Sequence, residues 1–218
     1  MHHARSLAVA LALVFASNAI AQTKAPVSRN ETLLAATSPF EDLSEFALAK
    51  DAAGITKSLA EADGHVAAVR KVLPAAAATQ FDALMKVLHQ AATDQQHHAL
   101  ALNAVETFRL LLDQLDAKGL EVPKEILLLD YVGFKLHVLE AAPQADWEAM
   151  RKTVADGVAW WNTTKPKIHE VALTDAMDTT IRALQEGAKT QNQALLHFAA
   201  QLDLDLVDLL EGIFETEG

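Results

Sequence analysis

Cysteine is absent from the 218 residues, which excludes disulfide staples, thiolate metal ligands, covalent haem attachment, cysteine nucleophiles and a lipid-modified N-terminal cysteine. Stability must come from packing, and a metal site is confined to imidazole and carboxylate donors. Serine stops at Ser58, so a Ser-His-Asp hydrolase would have to draw its nucleophile from the N-terminal stretch. No Glu has a His three residues after it, which removes the Glu-x-x-His pairs of ferritin-like di-iron bundles. His169-Glu170 begins like a zinc-protease helix, but Leu173 stands where the second histidine belongs. There is no glycine-rich phosphate loop. These absences lean the reading away from an enzyme. Basic residues are also scarce, 18 Lys and Arg against 29 Asp and Glu, for a formal net charge of −11. Such a chain repels nucleic acid and anionic lipid and favours cations, small ligands with cationic groups, or a basic protein surface.

Long apolar runs are missing too. The longest, residues 7–15, is too short to span a bilayer. It follows His2, His3 and Arg5 and leads to Ala19-Ile20-Ala21. That order of charge, apolar run and small-x-small site predicts a cleavable signal peptide over residues 1–21, and with it a periplasmic or secreted mature chain beginning at Gln22. Removing Arg5 and no acidic residue would take the net charge from −11 to −12.

Residues 22–39 are polar, with Pro26, Ser28, Asn30, Thr37 and Ser38, and read as a flexible lead-in. From there the apolar residues recur at helical spacing, as in Phe40, Leu43, Phe46 and Ala47, or Leu195, Ala199, Leu202, Leu206 and Leu209. No stretch alternates with period two. Breaks fall at Lys50-Asp51, Pro74, Thr93-Asp94, Gly119 to Pro123, Pro143, Asn162 to Pro166 and Gly187 to Asn192. The pattern predicts one all-α domain over residues 40–216: six to eight helices joined by short loops, as an up-and-down bundle or stacked antiparallel helical hairpins.

The informative residues are polar ones where helices should be apolar. Asp130, Gly133, His137 and Glu140 follow one another at spacings of three, four and three, on one face of an otherwise apolar segment. A buried carboxylate is costly unless it is paired or holds a cation, and Gly133 opens room for a helix, water or ligand to approach. The stretch from Gly133 to Glu140 resembles the Gly-x-His-x-x-Glu motif of imelysin-type periplasmic proteins, helical and linked to iron handling. Here the glycine lies four residues before the histidine instead of two, and the likeness covers fewer than ten residues. Two more histidines lie near apolar stripes. His98 follows Asp94-Gln95-Gln96-His97, where Asp94 reads as an N-cap, and His197 lies on the last helix beside a flank formed by Asp205, Asp208 and Glu211.

Asp130, His137 and Glu140 are therefore the first expected metal ligands, with His98 and His197 second. Zinc, copper or iron suits such donors. The leading expectation is an exported, non-enzymatic binding protein. A scaffold protein whose polar core residues only fix helix register is the alternative, with the Trp160-Trp161 edge as core or as interface. Non-covalent haem held by His197 or His98 with Met85 or Met177 opposite is a third.

Overall fold

The computed structural model describes residues 27–216, so the expected signal peptide lies outside the described residues. Helix α1 (Arg29–Leu34) is followed by α2 (Ser38–Ala49), α3 (Ala52–Val72), α4 (Ala75–Thr93), α5 (His97–Asp113), α6 (Lys124–Glu140), α7 (Trp147–Thr164), α8 (Val171–Thr190) and α9 (Gln193–Thr216). A short 3₁₀ turn, Lys165–Lys167, links α7 to α8. The all-α expectation holds: apart from six-residue α1 there are eight α-helices, and no strand occurs among the described residues. None of these helices is long and apolar enough to cross a membrane.

Local chemistry sets the boundaries. Asp51 caps α3 by accepting from Ala53 and Gly54, while Lys50 just before it takes the left-handed conformation, φ 57°. Pro74 and Pro123 immediately precede α4 and α6, where a missing N–H costs nothing. Asp146 caps α7 through the Ala149 amide. Asp94 is not an N-cap. It closes α4, its carboxylate accepting from Gln90.

The lead-in is helical from Arg29, where the sequence reads as irregular. Ser28 and Glu31 form a reciprocal capping box, and that box satisfies two otherwise orphaned amide donors. Fully buried Leu33 and the two hydrogen bonds between Asn30 and the Asp116 backbone then fasten α1 to the body.

Consecutive helices pack as hairpins, α2 on α3, α4 on α5, α6 on α7 and α8 on α9, with α2–α5, α5–α6 and α6–α9 joining them. The apolar interior is divided into two clusters. Residues of α1 to α5 build the first, and α7 to α9 most of the second. Helix α6 belongs to both: Leu128, Tyr131 and Val138 face the first, Ile126, Leu129, Val132, Leu136 and Leu139 the second. Being covered on two sides explains its nearly continuous apolar sequence. The polar residues of α6 are left on the seams between its two apolar faces.

Gly133 sits at the α6–α9 crossing. A Cβ there would lie 2.5 Å from Leu204 Cδ2 and 3.2 Å from the Ala200 carbonyl oxygen, so the room it opens is filled by α9.

Candidate metal centre

His137 and Glu140 lie one turn apart near the C-terminal end of α6, and His197 one turn into α9. One ligand atom from each of the three lies within 4.8 Å of the others. The His197 and His137 rings meet edge to face, centroids 4.9 Å apart. His197 Nδ1–H donates to Glu140 Oε2 at 3.0 Å. The Glu140 side chain is only 5% exposed and His197 is 64% exposed, so the cluster is a buried carboxylate with one imidazole reaching in from the surface.

Two polar atoms in this cluster are left without a partner. His137 Nε2 and Glu140 Oε1 are buried and have no hydrogen-bond partner. Burial and the neighbouring His197 hold His137 below the usual histidine range, which favours the neutral ring a metal needs. Burial pushes Glu140 up, partly opposed by the hydrogen bond from His197. Ligand bonds of about 2.0–2.2 Å put donor atoms roughly 3–4 Å apart around a shared ion. The observed spacing is therefore within a small side-chain rotation of a two-histidine, one-carboxylate set. Moving the His197 proton to Nε2 frees Nδ1 as the third donor.

The site opens into a cavity of about 870 Å³ whose walls include Leu48, Phe134, Leu204 and Gln201.

The other expected ligands are not part of this group. Asp130 faces a second cavity, of about 610 Å³, together with Glu41, Asp208 and Glu211. Burial, then the charges of Glu211, Glu41, Asp203 and Asp208, pushes Asp130 well above the ordinary carboxylate range. Glu41 is raised to about 7 by burial first and then by Glu211, Asp42, Glu45 and Asp208. This is a cleft of like charges. Glu211, half-buried, and Asp208, exposed, line it from α9. Asp205 and Asp208 are both exposed, as a solvated flank on α9 implies, and Asp205 accepts from Gln201.

His98 points inward as expected, but its Nε2–H donates to the Val138 carbonyl at 3.0 Å. It ties α5 to the end of α6 and lies outside the three-donor cluster. Met85 and Met177, the methionines set opposite His197 or His98 in the haem arrangement, are buried in the first and second clusters, and neither lines the cavity at His197. The Trp pair belongs to the interior. Trp161 is buried and donates to Asp178 at 2.7 Å, and Trp160 stacks under Arg109 at 4.5 Å and against Tyr131.

Two polar features escape the sequence reading. Lys135 is buried and ion-paired with Glu106. Asp203 is completely buried, with neither oxygen hydrogen-bonded, and desolvation raises it well above the ordinary carboxylate range. The second had a legible signal, because Leu196, Ala200, Asp203, Val207 and Leu210 follow one another at spacings of four and three and the other four are all core residues.

Comparison with protein-family models, curated proteins and solved structures finds no match to this chain.

Proposed function

We propose that this protein binds a divalent transition-metal cation, zinc, copper or iron(II), through His137, Glu140 and His197, as a binding protein and not an enzyme, in the periplasm or outside the cell. The observation that carries the reading is the pair of buried, partnerless atoms His137 Nε2 and Glu140 Oε1, on two side chains that both touch His197; with the His137 proton on Nδ1, both are free acceptors. A buried acceptor without a donor costs about 1–3 kcal/mol, and a cation removes that cost for both atoms at once. Two imidazoles and a carboxylate suit these three metals better than calcium or magnesium, which prefer all-oxygen shells. Support for the compartment comes from the leader-like order of residues 1–21 and the cysteine-free composition.

Titrating chelator-treated protein calorimetrically with zinc, copper and, anaerobically, iron(II) tests the reading. The expected stoichiometry is one ion per chain for at least one metal. Free metal at 100 times Kd should stabilise the fold by about 2.7 kcal/mol, raising Tm by about 5–10 °C. Because losing a residue that merely supports a ligand costs about 10–100-fold, His137→Ala should weaken binding by more than about 100-fold while leaving the circular dichroism helical. Protons compete for His137 below the ordinary 6.5 and for Glu140 above the ordinary 4.5, so affinity should fall as pH drops from 6.5 towards 4.5. Equal affinity in wild type and His137→Ala, or no binding of any of the three metals, would overturn it.

A further inference from the structure

The cavity beside the three donors is far larger than a cation needs. An ion completing its shell with two or three waters, at about 30 Å³ each, takes roughly 100 Å³. The cavity holds about 870 Å³, within the range of small-molecule sites, which have largely apolar walls and a few placed polar groups. Its walls fit that description. Phe134 lies on α6 one turn before His137, so a ring bound to the ion would be within reach of it, and Leu48 and Leu204 bring apolar surface from α2 and α9. The polar lining is mostly committed elsewhere. The Ser44 hydroxyl donates to the Glu41 carbonyl, Gln201 to Asp205 and Gln193 to the Glu140 carbonyl. The remaining polar anchors are the exposed Glu45 carboxylate at the rim and the cation itself.

Charge narrows the class of ligand. A divalent ion held by two neutral imidazoles and one carboxylate carries one net positive charge; Glu45 at the rim is exposed and screened by solvent, so the apolar part of the cleft favours neutralising the ion with a directly bound anion. Three protein ligands also leave adjacent coordination positions open towards the cavity when the ion is five- or six-coordinate. We infer that the site takes its cation together with a small monoanionic bidentate chelator, whose two donor atoms replace metal-bound water and whose apolar or aromatic body lies along Phe134, Leu48 and Leu204. This rests on the metal-binding reading above. It adds that the cargo is a metal–chelate complex and that Phe134 selects the chelator.

Benzohydroxamate and acetohydroxamate share one monoanionic donor pair and differ in the aromatic ring. Calorimetric titration of the zinc-loaded full chain with each, with dialysis and metal analysis to follow where the zinc goes, tests the inference. Benzohydroxamate should bind the loaded protein at least 10-fold more tightly than acetohydroxamate, leave the zinc in place and fail to bind the metal-free chain. Phe134→Ala should remove most of that 10-fold preference without changing zinc affinity. If zinc binds but the two hydroxamates bind alike, or strip the metal, the chelate inference falls and the metal site stands. If the chain takes up no zinc, copper or iron(II), both fall together.

Discussion

Along the α6–α9 contact, His137 and Glu140 meet His197, whereas further back Asp130 shares a cleft with Asp208 and Glu211. The same two antiparallel helices thus carry two polar clusters on either side of Gly133. They differ in donor chemistry. At the first, imidazoles face a carboxylate, and the shared proton between His197 and Glu140 lowers the cost of burying it. At the second, carboxylates face carboxylates, and burial together with like charges raises the affinity of Asp130 and Glu41 for protons. Burial alone therefore does not make a metal site. The first cluster offers complementary donors with two lone pairs left over, and the second meets its burial by taking up protons.

The sharpest break of that comparison is titration. Glu41 is held near 7 in the fold and returns to about 4.5 when unfolded. A group raised on folding contributes its stability below the unfolded value and loses it as pH climbs through the folded one. Wild-type stability should therefore fall between pH 4.5 and 8, with about 2–3 kcal/mol of that fall belonging to Glu41. Glu41→Gln should flatten the curve by that amount in urea melts at successive pH values, and should leave metal affinity unchanged. An unaltered slope in the variant would show that the acidic cleft does not hold protons through Glu41.

Gly133→Ala probes what separates the clusters. The added methyl would stand 2.5 Å from Leu204 Cδ2 and against the Ala200 carbonyl. Overpacking of this kind costs about 1–3 kcal/mol, offset by about 1 kcal/mol of helix propensity. A net loss of up to about 2 kcal/mol is expected, together with weaker metal binding, because α9 must shift and His197 moves with it. A variant as stable as wild type with unchanged affinity would mean that the α6–α9 spacing does not set the site.

How much of this was readable in advance depends on which distances sequence controls. Helical spacing within α6 placed Asp130, His137 and Glu140 on one face, and that much is correct. It also invited the error of joining them. Asp130 and Glu140 are ten residues apart, about 15 Å along a helix axis, too far to share one ion. Which α9 residue stands opposite each depends on the packing register between two helices separated by α7 and α8, and the apolar pattern leaves that register free. His197 rather than Asp130 completing the set is a consequence of that register. Asp203 was the opposite case: its place in the α9 stripe was visible, but the neighbouring Asp205 and Asp208 drew the segment towards a solvated reading. The all-α fold was the easiest part, since the 3.6-residue period, the caps and the prolines agree.

The smallest expected effect separates a structural histidine from a ligand. Val138 lies in the last turn of α6, where backbone carbonyls run out of helical partners, and the His98 Nε2–H supplies one. His98→Ala should remove that bond at a cost of about 1 kcal/mol, lowering Tm by about 2–4 °C. Metal affinity should stay within about twofold, because the Glu140 carboxylate and both ligand imidazoles keep their own contacts. His98→Gln, whose amide N–H can reach the same carbonyl, should recover part of the loss. If His98→Ala weakened metal binding as severely as His137→Ala, the difference drawn between an imidazole that ties helices together and one that offers its lone pair to an ion would not hold.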